Sequence, residues 1–134
     1  MHTKLLGAAV VLCTTVATGT ALAHHSFAAE FDANAPIELT GTVTKVDWAN
    51  PHTYFYIDVT NAKGDVQNWA LEMGSPNGLM RRGWTRDSMK IGDVVNVSGW
   101  RAKDGAPKGN ARSVTLSTGK KLFAGSSQET GDSK

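Results

Sequence analysis

The body of the chain alternates between apolar and polar residues in short runs, a pattern that predicts half-buried β-strands. The first run begins at Ile37, and its apolar or glycine residues occupy odd-numbered positions as far as Val43. The apolar residues then move to even-numbered positions at Val46 and Trp48. One extra residue near positions 44–45 would account for this change of phase, so we predict a β-bulge that bends the strand there.

Further strands are predicted by the same alternation, at residues 54–59, 68–73, 94–100, 112–116 and 122–123. The intervening residues 61–65 contain a glycine that suits a hairpin turn. Residues 103–110 contain two glycines and a proline, which predicts a flexible loop before the fifth strand.

A short helix is predicted between the third and fourth strands. Ser75 is a favourable N-cap, Pro76 suits the first helical position, and Gly83 suits a left-handed stop. Residues 85–89 are compatible with a second helical turn capped by Thr85. Three strands, a helix and two or three strands follow the order of an OB-fold. We therefore predict a mainly β fold, a small OB-like barrel of five to six strands, with a different small β-barrel as the alternative.

The start of the chain predicts a secretory signal peptide. Lys4 precedes an apolar run too short to span a bilayer, and Ala21-Leu22-Ala23 forms a small-residue cleavage site. Cleavage there predicts a periplasmic or secreted protein without a transmembrane segment; a retained membrane anchor is the alternative. Four segments are predicted: a signal peptide at 1–23, an N-terminal segment at 24–36, the barrel domain at 37–124 and a disordered tail at 125–134.

The composition is that of an ordinary small globular chain. With 134 residues, 40% of them hydrophobic, the chain is long enough for one small domain. The formal net charge of +2 does not suggest nucleic acid as a partner, because domains that bind phosphate usually carry a basic stripe. The single cysteine, Cys13, lies in the predicted signal peptide, so a metal site in the mature protein must use nitrogen and oxygen ligands.

A string of motifs resembles a family of small exported bacterial proteins of unknown function. The motifs are the opening His24-His25-Ser26-Phe27-Ala28-Ala29-Glu30-Phe31-Asp32, the Trp48/Asn50-Pro51-His52 turn, Trp69-Ala70-Leu71-Glu72-Met73-Gly74-Ser75-Pro76, Gly92-Asp93-Val94-Val95 and Asn110-Ala111-Arg112-Ser113. The likeness covers nearly the whole predicted mature chain. It implies export and the extent of the domain, and it assigns no chemistry.

Three histidines of the predicted mature chain, His24, His25 and His52, are candidate metal ligands. As the first residue, His24 would offer its α-amine and its ring, and His52 would add a third nitrogen in a set that resembles the histidine brace of copper proteins. Nitrogen-rich tetragonal sites favour Cu(II). His25 could instead chelate through the intervening amide, and Glu30 or Asp32 could add an oxygen ligand or orient a ring.

Several functions remain open at this point. The leading hypothesis is a small periplasmic binding protein that holds copper or another transition metal. The second is a metal-free OB-like module that binds a small molecule, sugar or protein partner through Trp48, Tyr54 and Tyr56. The third is a metal-dependent enzyme of unknown substrate, and purely structural roles for the histidines are the remaining alternative.

Binding is favoured over catalysis because no catalytic motif is present. The sequence contains no G-x-S-x-G, P-loop or Rossmann signature. Glu72 lies on the polar face of the third predicted strand, and we expect it to pair with Arg81 or Arg82. A carboxylate without a second titratable group beside it is a poor general acid–base system.

Overall fold

The computed structural model describes residues 27–126, and these residues form a mainly β domain. A single helical turn at residues 27–30 leads directly into the first strand. The strands are β1 (Phe31–Asp47), β2 (Tyr54–Thr60), β3 (Val66–Glu72), β4 (Val94–Ala102), β5 (Lys108–Thr115) and β6 (Lys121–Phe123). The helix α1 (Pro76–Arg81) lies between β3 and β4. The predicted mainly β fold with a short helix after the third strand is confirmed.

The six strands form one closed sheet. Neighbouring strands follow the order β3-β2-β1-β4-β5-β6, and β3 also pairs with β5, which closes the ring. The β3–β5 pair is parallel and joins residues 70–72 to residues 108–110, whereas the other strand pairs are antiparallel. Closure on itself removes most of the exposed sheet edge and agrees with the predicted OB-like layout.

The first strand is long because it serves two neighbours. Its first part pairs with β4 from Phe31 to Thr42, and its second part pairs with β2 from Thr42 to Asp47. The pairing with β2 shifts register between Val43 and Lys45, so the predicted β-bulge is confirmed. The strand also begins six residues before Ile37, where the apolar alternation starts. The pairing with β4 is irregular between Phe31 and Pro36, which hides this first part of the strand from pattern recognition.

The core fills the inside of the barrel with the apolar face of each strand. Phe55 and Ile57 of β2 are fully buried, whereas Tyr54 and Tyr56 between them face outward and are half-buried. Trp84 is also buried, and its indole Nε1–H donates to the carbonyl oxygen of Phe123 at 2.8 Å, which ties the segment after α1 to β6.

The helix signals are confirmed, but the second turn is not helical. The Ser75 hydroxyl accepts a hydrogen bond from the Gly78 N–H at 3.2 Å, and Gly83 has a φ angle of 96°. Residues 85–89 instead form a turn in which the Thr85 N–H is bonded to the Ser88 hydroxyl at 2.8 Å. The predicted second helical turn is therefore wrong, because so short a run does not overcome the cost of helix nucleation.

The predicted flexible loop at residues 103–110 is only partly correct. The fifth strand already begins at Lys108, because residues 108–110 pair with β3. Gly109 is a packing residue there: a Cβ atom at this position would lie 2.5 Å from the Ile37 Cδ1 atom and 3.0 Å from the Trp100 carbonyl oxygen. No helix among residues 27–126 is long and apolar enough to cross a membrane.

Candidate functional site

The β2–β3 hairpin holds Tyr54 and Glu72 directly opposite each other at the barrel rim. Backbone pairing continues past the strand ends, since the Thr53 N–H donates to the Gly74 carbonyl and the Met73 N–H donates to the Thr53 carbonyl. His52 therefore lies just before β2, at the level of residues 73–74. Three polar side chains from one hairpin, those of His52, Tyr54 and Glu72, meet at this rim.

Glu72 is a buried carboxylate, with 7% of the residue exposed. Its Oε2 atom accepts a hydrogen bond from the Tyr54 hydroxyl at 2.7 Å. The expected pairing with Arg81 or Arg82 is wrong, because Glu72 faces β2 and the guanidinium of Arg82 instead lies 4.3 Å from the centre of the Phe123 ring. A buried carboxylate requires such hydrogen bonds, since desolvation without partners would destabilise it strongly.

The imidazole of His52 is held from one side. Its Nδ1 atom lies 3.1 Å from the Met73 carbonyl oxygen and 3.3 Å from the Glu72 Oε1 atom. The carbonyl oxygen can only accept, so the hydrogen bond to it requires a proton on Nδ1. In the neutral ring the lone pair then lies on Nε2, which makes no hydrogen bond to any residue in the range 27–126. The side chain is 34% exposed, so the ring is fixed but reachable from solvent.

The environment of Tyr54 keeps its hydroxyl protonated. Burial raises the pKa of Tyr54 well above its ordinary value of 10.0, and the hydrogen bond to Glu72 and the charge of that carboxylate raise it further. The negative charge of Glu30 raises the pKa of Tyr54 as well. Tyr54 therefore remains a hydrogen-bond donor to Glu72 throughout the physiological pH range.

This pKa shift predicts how stability depends on alkaline pH. A tyrosine whose pKa is higher in the folded than in the unfolded protein stabilises fully below pH 10, and this contribution falls as the pH rises further. We expect the free energy of unfolding to decrease more steeply above pH 10 in the wild type than in Tyr54→Phe. Urea titrations between pH 8 and pH 11 would measure this, and parallel curves for both proteins would contradict it.

The helical turn at residues 27–30 is anchored to the barrel by several contacts. The Phe27 ring meets the Trp100 ring edge-on, with centroids 5.5 Å apart, and the Glu30 carboxylate forms an ion pair with Lys108. The Lys103 N–H donates to the Glu30 carbonyl at 2.9 Å. Asp32 accepts instead from the N–H of Asn34 at 2.8 Å. Glu30 is thus held at the β3–β5 pair through Lys108, whereas the Asp32 carboxylate is used in its own turn.

One row of paired residues connects this turn with the hairpin rim. Tyr54 pairs with Glu72, Glu72 with Asn110, and Asn110 with Trp100, so these four residues lie side by side across β2, β3, β5 and β4. Paired residues in a sheet share one face. Phe27 packs on the last member of the row, and His52 lies beside the first two.

Asn110 adds a buried acceptor to this row. The residue is 4% exposed, and its Oδ1 atom has no hydrogen-bond partner among the described residues. A buried polar atom without a partner is rare in folded proteins. Asn110 belongs to one of the sequence motifs, but the local sequence pattern does not predict that its side chain lies beside Glu72.

The candidate ligands fall into two groups in the structure. His52 is brought to Glu72, whereas His24 and His25 lie outside the described residues, so the three-histidine set stays a prediction. Within residues 27–126, no group of three or more histidine, cysteine or acidic side chains is arranged to hold a metal ion. Of the three histidines, only His52 belongs to the described residues, and a complete metal site needs donors beyond this part of the chain.

The aromatic surface considered in the sequence is divided by the fold. Tyr54 and Tyr56 share the outer face of β2, and the ammonium group of Lys45 lies 5.3 Å from the centre of the Tyr56 ring. The Tyr54 hydroxyl is engaged by Glu72. Trp48 is half-buried against the core, and its Nε1 atom has no partner among the described residues. Its role as a ligand-binding surface stays a prediction.

Comparison with known proteins gives a family but no activity. A family model described as a family of unknown function (DUF6152) matches residues 10–112. No curated protein matches the chain.

Proposed function

The chain belongs to DUF6152, a family of unknown function, so we propose its role from the geometry of its own residues. We propose an exported, periplasmic protein that binds copper or another transition metal through His52 and the histidines His24 and His25. The observation that carries this proposal is the position of His52, whose Nδ1 atom is held by Met73 and Glu72. The lone pair on Nε2 is then oriented to bind a metal ion.

The surroundings of His52 are those that a ligating histidine requires. Histidines that bind metals usually donate the N–H of the other ring nitrogen to a carbonyl or carboxylate, which fixes the tautomer and makes the ligand more basic. His52 has both kinds of acceptor beside Nδ1, namely Met73 O and Glu72 Oε1. Tyr54 in turn holds Glu72 through its hydroxyl. The imidazole is therefore oriented by its hydrogen bond to the Met73 carbonyl and by the adjacent Glu72 carboxylate, which Tyr54 holds in place.

The position of the helical turn supports a contribution from the N-terminal histidines. Phe27 packs on Trp100, which belongs to the same cross-strand row as Glu72. His24 is three residues before Phe27, and an extended chain spans about 3.6 Å per residue, so covalent geometry keeps it within about 11 Å of Phe27. An α-amine and imidazoles near His52 would form a nitrogen-rich set, which favours Cu(II) among divalent ions.

The proposal predicts that Cu(II) binding depends on both the α-amine of His24 and the imidazole of His52. Protein that begins at His24 should bind Cu(II) at least about tenfold more tightly than protein with one extra residue before His24, because the extra residue removes the α-amine at that position. His52→Ala should weaken binding by a similar or larger factor. Competition with a chromophoric chelator gives the affinities, and electron paramagnetic resonance reports the nitrogen ligands.

A second pair of variants separates orientation from ligation. Glu72→Gln keeps His52 but removes the charged acceptor beside Nδ1, and loss of such a partner typically costs about 10- to 100-fold in affinity. Asp58→Asn is the matched control, since Asp58 is also an outer-face carboxylate of the same hairpin and its hydrogen bond is to Asn68. Equal Cu(II) affinity in His52→Ala, in the N-terminally extended protein and in the wild type would overturn the proposal.

A further inference from the structure

A second row of paired residues crosses the outer face of the barrel away from the β2–β3 hairpin. Glu38 of β1 pairs with Ser98 of β4, Ser98 pairs with Ser113 of β5, and Ser113 pairs with Phe123 of β6. The row therefore has a carboxylate at one end, an aromatic ring at the other and two small hydroxyl residues between them. Four strands at about 4.8 Å spacing give it a length of about 14 Å.

The small residues in the middle create an open groove. Its volume is about 470 Å³, and Arg112 and Lys121 complete the lining formed by the row. Ligand sites commonly have volumes of about 300–1,000 Å³. A β-bulge explains the position of the arginine: the β4–β5 register moves from the Gly99–Ala111 pair to the Ser98–Ser113 pair, so Arg112 is the extra residue.

The charged groups of the groove form no ion pair within the described part of the chain. Among residues 27–126, neither Arg112 nor Lys121 forms an ion pair with an acid, and Glu38 forms none with a base. The hydroxyls of Ser98 and Ser113 make no hydrogen bond to another residue in that range. Arg112 extends beside Trp100, with its guanidinium 5.8 Å from the ring centre, and is held there without an acidic partner.

We propose that this groove binds an acidic sugar or a closely related hydroxylated organic anion. The anionic group of the ligand pairs with Arg112 and Lys121 at the β5–β6 end, where a guanidinium can bind an oxyanion through two hydrogen bonds. Ser98 and Ser113 bond to ligand hydroxyls on the floor, and the Glu38 carboxylate accepts from hydroxyls at the far end. The Phe123 ring, stabilised from one side by Arg82, offers apolar contact to ligand C–H groups.

The chemistry of the groove excludes simpler ligands. A small inorganic anion would leave Glu38 and the serine hydroxyls without partners, and a dianion with charges at both ends would be repelled by Glu38. A neutral sugar would leave Arg112 and Lys121 unpaired. The groove-lining residues do not include His52, Tyr54 or Glu72, so the groove is separate from these three residues.

NMR titration of the ¹⁵N-labelled protein with glucuronate, glucose 6-phosphate and glucose tests the proposal. The first two probes distinguish a carboxylate from a phosphate as the anionic group, and glucose is the neutral control. Binding of either acidic sugar should shift the amide signals of Ser98, Ser113 and Phe123, and should be at least about tenfold tighter than that of glucose, because charge-assisted hydrogen bonds dominate. Failure of both acidic sugars to bind, or equal binding of glucose, would overturn the proposal.

Charge-matched variants localise the binding. Arg112→Gln and Lys121→Gln should each weaken binding of the acidic sugar about tenfold. Arg86→Gln and Lys120→Gln remove the same charges at exposed positions outside the groove and should leave affinity unchanged. Equal losses in all four variants would indicate general charge attraction and would overturn the site, as would shifted signals confined to residues outside the groove.

Discussion

Replacement of Gly99 by alanine is expected to destabilise this barrel strongly. A Cβ atom at position 99 would lie 1.9 Å from the carbonyl oxygen of Asn110 and 3.1 Å from the Cα atom of Ala111. Both are backbone atoms of the neighbouring strand, so no side-chain rotation can relieve the clash. Overpacking usually costs about 1–3 kcal/mol, and we expect Gly99→Ala to reach or exceed the upper end of that range.

Urea unfolding followed by tryptophan fluorescence would measure this loss. Ser98→Ala is the matched control, because Ser98 is adjacent on β4, is half-buried and makes no hydrogen bond to the described residues. We expect the control to change the free energy of unfolding by only about 0.5 kcal/mol. Gly99→Ala with the stability of the wild type would show that β4 and β5 do not approach each other so closely at the bulge.

The second large effect is expected at Trp84. The side chain is 2% exposed, packs in the core and binds the Phe123 carbonyl through its indole N–H. Trp84→Ala removes both contributions, and such truncations typically cost about 3–5 kcal/mol. Trp84→Phe keeps most of the apolar contact but leaves the carbonyl without its donor, so we expect a loss of about 1–3 kcal/mol.

Thermal unfolding of the two variants separates packing from the hydrogen bond. Met80→Ala is a useful control, because Met80 belongs to the neighbouring helix but is 50% exposed. It should have little effect on the midpoint of unfolding. If Trp84→Ala were no more destabilising than Met80→Ala, the attachment of β6 through Trp84 would not contribute to stability.

Local sequence patterns predict those elements of the fold that depend only on residues close in sequence. The bulge near Lys45 follows from a change of phase in the apolar residues, and the N-cap at Ser75 follows from residue type alone. The strand at residues 108–110 has no such pattern, because it depends on parallel pairing with β3, about forty positions earlier in the chain. Gly109 was interpreted as a sign of flexibility, whereas it is required for close packing.

Sequence patterns likewise predict one part of the candidate site and miss another. The hairpin loop at residues 61–65 closes with the Thr60–Val66 pair, and counting outward from it places Tyr54 opposite Glu72. The hairpin pairing alone therefore predicts Tyr54 as the partner of Glu72, in preference to the arginines of the helix. The burial of Glu72 and the position of Asn110 require the closed barrel. The strand order predicts a barrel but not the register in which β3 meets β5, so the burial of Glu72 and the position of Asn110 could not be predicted.

The hairpin origin of the His52 cluster has a consequence for how the protein folds. His52, Tyr54 and Glu72 lie within the β2–β3 hairpin. The groove that contains Ser98 and Ser113 instead needs β1, β4, β5 and β6 to be in place. Contacts between residues close in sequence form faster than those that close long loops. We therefore expect the contacts of the His52 cluster to form earlier during folding than those of the groove, because the cluster needs only β2 and β3 whereas the groove needs four strands that include β1 and β6.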